Sequence, residues 1–200
     1  MWLWLALVAC VGDIGEGKER AQVVENARPA AQVDAGSGIA VDQSQSALRV
    51  LAAKVSGTID LGFDGFQGEI GMDGEEVAWV RYEVDASTVT SPHDRLTAHL
   101  KNSDFLDVPN HPTSTFASTA IRPKVDGDWT HEVEGDLAIR GITKRVTFPS
   151  TIEVASEGVK AHAEFTVDRT WFGITYEGKK DDLIQDSVVL SIDLVAPRGG

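Results

Sequence analysis

The sequence predicts an all-β domain, an antiparallel sandwich or barrel, interrupted by a single short helix. Three observations predict it. Apolar and polar residues alternate with a period of two in successive runs between Leu51 and Leu194, the pattern of strands with one face buried. Turn dipeptides separate the runs: Asp73-Gly74, Asp126-Gly127, Glu157-Gly158 and Glu177-Gly178. The stretch from Ser91 to Leu106 alone breaks the alternation and carries helix signals instead. Many strands joined by short turns and exposing alternate faces are stable as a sandwich or a closed barrel.

Taken from the N-terminus, Met1 to Ala9 (MWLWLALVA) is an unbroken apolar run that ends in small residues before Cys10, the only cysteine. This is the shape of a signal-peptide hydrophobic region followed by a processing site. Leu7-Val8-Ala9-Cys10 resembles the lipobox of bacterial lipoproteins, in which the cysteine becomes the lipidated first residue. No Lys or Arg precedes the run, a departure from that pattern. The bland alternative is a frayed terminus with an incidental cysteine. The run is too short to span a bilayer as a helix. A lone cysteine excludes an intrachain disulfide.

Residues 11–40 contain no aromatic residue and no sustained helical or strand period. Gly, Ala, Glu and Asp dominate, so this stretch reads as a flexible tether between a lipid-anchored Cys10 and a folded domain over residues 41–198. Leu51, Ala53, Val55, Ile59, Leu61 and Phe63 then alternate through a long hairpin, with Gly57, Gly62, Gly65 and Gly68 supplying bends or bulges. Ala78, Val80, Tyr82, Val84 and Ala86 form the next strand.

At Ser91-Pro92-His93-Asp94 the signals change to an N-cap, a Pro at the first helical position and an acid at the third, a variant of the capping box. Leu96 and Leu100 fall one turn apart on one face, Ser103 to Leu106 forms a second short turn, and Pro109 and Pro112 prevent continuation. One helix in an all-β chain suits a lid over one end of a barrel. Strands resume with Trp129, His131, Val133, Leu137 and Ile139, then Val159 to Val167, then Val188, Leu190, Ile192 and Leu194.

The net charge of −13 excludes a nucleic-acid backbone or an anionic membrane surface as an electrostatic partner, because either repels the chain at long range. It leaves room for one phosphate in a local basic pocket. No Gly-x-Ser-x-Gly elbow, P-loop or HExxH motif occurs, and the five histidines show no metal-ligand spacing. The residues thus point to binding rather than catalysis.

The stretch Val84 to Thr119 (VDASTVTSPHDRLTAHLKNSDFLDVPNHPTSTFAST) resembles the acid-to-helix segment of the YceI-like family of polyisoprenoid-binding, lipocalin-like periplasmic proteins. Gly135 to Lys144 (GDLAIRGITK) and Phe165 to Ile174 (FTVDRTWFGI) resemble two further blocks of that family, in the same order. The resemblance covers roughly residues 41–196. It implies an eight-stranded antiparallel lipocalin-like barrel that encloses a long isoprenoid, a polyprenyl phosphate or an isoprenoid quinone, for storage or transport. It also implies a periplasmic cell-envelope location; Val11 rather than Asp after the cysteine favours the outer membrane. The alternative is a structural or stress-protection envelope module with a packed, ligand-free barrel.

An apolar ligand needs a dry tube and a mouth, with stabilisation of roughly 25 cal/mol per Å² of apolar surface buried. Leu51, Val55, Ile59, Leu100, Phe105, Phe116, Ile139, Phe165, Trp171 and Phe172 are the candidate lining residues, each of which is otherwise ordinary core. Arg169 continues the inward face of Phe165 and Val167. It either binds a ligand phosphate bidentately or pairs with a neighbouring acid.

Overall fold

The computed structural model describes residues 12–24 and 38–198. In chain order the strands are β1 (Gln22–Val23), β2 (Ile39–Ala40), β3 (Ala47–Lys54), β4 (Gly57–Phe63), β5 (Phe66–Asp73), β6 (Glu76–Asp85) and β7 (Val89–Thr90). The helix α1 (Asp94–Leu100) follows. Then come β8 (Thr113–Asp126), β9 (Trp129–Ile139), β10 (Ile142–Ala155), β11 (Gly158–Asp168), the short pair β12 (Gly178–Lys179) and β13 (Asp182–Leu183), and β14 (Ser187–Pro197).

One antiparallel sheet runs in the order β2-β5-β6-β8-β9-β10-β11-β14-β3-β4-β7, so β14 returns to lie beside β3. The sheet is curled. Val41 N donates to Gly68 O on β5 at 2.9 Å and Asp42 N to Val195 O on β14 at 2.7 Å, so the residues after β2 tie two distant strands together at one end. The path holds eleven strands where eight were expected. Two of the extra strands, β2 and β7, are two-residue edge pieces, and Asp64 and Gly65 divide one extended run into β4 and β5. Gly74 and Gly127, with φ of 63° and 60°, turn the β5–β6 and β8–β9 hairpins in a left-handed conformation that a β-carbon would strain.

The expected tether does not hang free where it is described. β10 pairs with β11 only from Thr151↔His162 outward to the hairpin, and the two strands part beyond that point. Residues 19–23 fill the seam. Gln22 and Val23 pair with Thr147 and Val146 of β10, and Ala21 N donates to Thr166 O of β11 at 2.9 Å. Ala21 is only 3% exposed and joins the core, and Lys18 pairs with Glu164. The domain therefore includes residues 12–24 and begins again by β2 at Ile39, inside the expected tether, where Ile39 and Ala40 pair with Ile70 and Glu69. The few apolar residues of 12–24 escaped a periodicity reading because one small buried alanine and backbone hydrogen bonds do the anchoring. Cys10, the apolar run before it and residues 25–37 lie outside the described residues.

The helix begins later than its signals suggested. His93 is the N-cap and makes no side-chain cap bond, while Ser91 Oγ donates to His93 O and meets Thr97 Oγ1 at 2.8 Å. The inward faces of the curled sheet form the main core, and a smaller cluster of Leu61, Val89 and Leu100 lies under the helix with Phe105 and Leu106 against it.

Candidate functional site

The site follows from which strand faces look inward. Val50 of β3 stands opposite both Leu61 of β4 and Leu190 of β14, so the even-numbered residues of β3 face the interior. On β6 the inward residues are Tyr82 and Val84; opposite them on β8 are Phe116 and Ser114. Leu137 and Ile139 of β9 and Val167 of β11 complete the wall at this end.

Between this wall and the lid lies a cavity of about 180 Å³. Leu100 closes α1 over it, Phe105 and Leu106 follow in the next turn, and Phe172 and Ile174 approach from the segment after β11. Its surface is almost wholly carbon. His99 Nε2 sits 2.8 Å from Asp104 Oδ2 and packs edge-on against Phe105 and Tyr176, which holds the lid turn in shape. Burial pushes the Tyr82 hydroxyl well above the usual phenol pKa, so the cavity stays uncharged there at any physiological pH.

An aromatic series runs from the cavity-lining Tyr82 into the main core. Tyr82 stacks on Phe116 with ring centroids 5.3 Å apart, Phe116 meets Phe148 at 5.5 Å, and Phe148 stacks on Phe165 at 4.1 Å. Gly135 on β9 makes this layer continuous, since a β-carbon there would sit 2.4 Å from Phe116 Cζ. Beyond the layer, Ile70, Val133, Ile152 and Val159 fill the other half of the barrel as tightly buried core.

Of the residues singled out from sequence, Leu100, Phe105, Ile139, Arg169 and Phe172 line the cavity. Phe116 and Phe165 are 2% and 1% exposed, belong to the main core and do not line the cavity. Ile59 packs in the cluster under the lid, and Trp171 packs against the main core without reaching the cavity. Two assignments fail. Val55 is 54% exposed in the β3–β4 turn, and Leu51 faces away from the interior. Both faces of β3 are apolar, so the alternation could be read in either phase; the outer face is covered in part because Gln185 N donates to Ala53 O. Leu48, Val50 and Ala52 of β3 were missed for that reason, and Leu61 and Leu190, though read in their strands, were not singled out as lining residues.

Arg169 is 5% exposed and reaches the cavity, with its nitrogens donating to protein oxygens. Its Nε donates to Gln185 O at 3.0 Å, Nη1 to Ile174 O at 2.7 Å and Nη2 to Asp186 Oδ1 at 2.9 Å. All three nitrogens are engaged in pinning the loops on either side. Of the two roles expected for Arg169, the structure shows the pairing with a neighbouring acid. Arg49, the other cation beside the cavity, lies 3.6 Å from Asp60. Among the described residues no group of three or more His, Cys, Asp or Glu could hold a metal ion.

Comparisons with known proteins agree with this architecture. A family model described as a YceI-like domain matches residues 39–196. A UPF0312 protein of Shewanella denitrificans is 32% identical over 137 residues, covering 66% of this chain and 70% of that relative. Against the Pseudomonas putida relatives it matches, the chain spans about half their length, 46%. Among solved structures, BcnA of Burkholderia cenocepacia superposes with a TM-score of 0.70 at 23% identity, over 78% of this chain and 99% of that one. A polyisoprenoid binding domain from Saccharophagus degradans, implicated in plant cell wall breakdown, gives 0.67 at 12% identity, over 82% and 100%. At such identities the structures speak for the fold alone.

Proposed function

The chain belongs to the YceI-like domain family, and from that premise we propose that its barrel is a non-catalytic binding site for an uncharged isoprenoid ligand at the cell envelope. The observation that carries the reading is the carbon-lined cavity between the barrel wall and the lid. An apolar cavity stays dry and gains from any apolar guest that fills it. The polyisoprenoid-binding description of the Saccharophagus neighbour lends the ligand class.

Electrostatics chooses between the two head groups. The Arg169 nitrogens are engaged by protein oxygens and Arg49 is offset by Asp60, so among the described residues the two cations at the cavity already have protein partners. A net charge of −13 repels an anion further. A quinone or a prenyl alcohol meets neither obstacle. Storage or transport of such a ligand fits a protein held at a membrane through lipidated Cys10, which we propose on the lipobox resemblance.

The packed half of the barrel is what a purely structural envelope module would show throughout; the cavity under the lid is what such a module would lack. Solvent extraction of the purified protein followed by mass spectrometry tests the reading. A co-purifying neutral isoprenoid in stoichiometric amount is the expected result, and a lipid-free extract from protein expressed in its own membrane would contradict it.

A further inference from the structure

We infer that the end of the barrel carrying Val55, Leu183 and Gln185 is the face that rests on the lipid bilayer, with the lid and its cavity turned toward the membrane. The inference rests on the lipidation of Cys10 proposed above and adds an orientation to it. Gln185 is the pivot. Its Nε2 donates to Gly12 O at 3.0 Å and its Oε1 accepts from Ile14 N at 3.0 Å, so residues 12–14 are clamped to the segment before β14. Gly12 is two residues from Cys10, and two residues of chain span at most about 7 Å. A lipid on Cys10 therefore holds Gln185 close to the membrane surface. The main-chain oxygen of Gln185 also accepts from Nε of Arg169, which lines the cavity. One residue thus joins the anchor to the cavity end of the barrel.

The same end presents apolar side chains to its surroundings. Val55 and Leu183 are 54% and 47% exposed and adjacent, since Val55 N donates to Leu183 O at 3.1 Å. Ile142, at the β9–β10 turn, is a third exposed aliphatic on this rim and approaches Gly173. Aliphatic side chains left in water at the tips of turns gain from the apolar edge of a bilayer. Lys179 and Lys180 precede Leu183 in the β12–β13 hairpin, where their ammonium groups can stay among head groups while the stems lie against lipid. Asp182 beside them is paired with Lys54. The opposite end differs. β11 runs 11 residues, roughly 35 Å, between the two ends. The far hairpin tips carry Asp73, Glu75, Asp126 and Glu157, and Val125, although exposed there, stands between Lys124 and Asp126. Carboxylates resist the loss of hydration that a bilayer imposes, so that end stays in water.

Acylated full-length protein in phosphatidylcholine vesicles tests the orientation; this lipid is zwitterionic, so the net charge of −13 does not repel the chain from it. With Cys10 blocked by lipid, Leu183→Cys, Val55→Cys and Val125→Cys each offer one free thiol for a nitrobenzoxadiazole label, and all three positions are exposed, so the fold is left as it is. Labels at positions 183 and 55 should shift to shorter wavelength on reconstitution and lose most of their emission to lipid carrying a doxyl quencher. A label at position 125 should emit as it does in water. Gln185→Ala frees Gly12 and Ile14 and should lower the quenching at position 183 without detaching the protein; unchanged quenching there contradicts the clamp. Acylated protein in which position 183 or 55 remains water-like, or position 125 is quenched, overturns the orientation and leaves the anchor standing. Protein that carries no acyl mass and stays off the vesicles overturns the anchor and the orientation with it.

Discussion

Arg169 Nη2 lies 2.9 Å from Asp186 Oδ1, and the backbone N–H of Arg169 donates to Asp186 O at 2.9 Å, so the end of β11 is clasped to the start of β14 by one residue pair. The side chain is almost buried while its partner carboxylate is 62% exposed, which makes the carbonyls of Ile174 and Gln185 as important to the guanidinium as the acid. Buried carbonyls that lose their charged donor lose the compensation for their own desolvation.

Arg169→Gln should therefore lower stability by about 2–3 kcal/mol, since several bonds from a charged donor are removed at once. Urea unfolding followed by tryptophan fluorescence measures it. Binding of a neutral prenyl alcohol by the fraction that remains folded should be nearly unchanged. A native-like unfolding midpoint, with phosphate-dependent ligand affinity lost, would return Arg169 to the head-group role.

The seam between β10 and β11 gives a second expectation. Ala21 is 3% exposed where residues 19–23 close the wall, so a larger side chain there must displace its neighbours. Ala21→Phe should overpack that site and destabilise the fold by about 1–3 kcal/mol. A free tether would tolerate the change without effect, so an unaltered melting temperature would place residues 12–24 off the barrel in solution.

Membrane association should depend on Cys10. Cys10→Ser should move the protein from the membrane fraction to the soluble fraction, and the native N-terminus should carry acyl mass. Membrane association that persists in Cys10→Ser, without acyl mass on the native protein, would leave the apolar run before it as an incidental feature.

The legible parts of this molecule were those in which one face of a strand is apolar and the other is not. β9, β11 and β14 announced both their existence and their facing, and the helix α1 was marked by Pro92 and by Leu96 and Leu100 a turn apart. β3 was legible as a strand but not in phase, because Leu48, Val50 and Ala52 on one face compete with Leu51 and Ala53 on the other; only its pairing with Leu190 and Leu61 decides. The N-terminal strap left almost no apolar signal, since its hold is mainly backbone hydrogen bonding. The packing of Phe116, Phe148 and Phe165 on one another was invisible for a different reason. They are inward aromatics whether they line a cavity or fill a core, and the Phe116 ring lies where it does because Gly135 leaves it room.

The central claim is that a guest occupies the compartment under the lid, and paired cavity-filling variants test it most directly. Ala52 lines the compartment, whereas Ala163 is 4% exposed in the packed half. Geraniol titration of the native chain, Ala52→Trp and Ala163→Trp, alongside their unfolding curves, separates the two halves. Ala52→Trp should fold with near-native stability and lose geraniol binding, because the indole takes the guest's place. Ala163→Trp should lose about 1–3 kcal/mol of stability by overpacking, with binding retained in the folded fraction. Undiminished geraniol binding by a folded Ala52→Trp, or destabilisation of Ala52→Trp equal to that of Ala163→Trp, would contradict the claim.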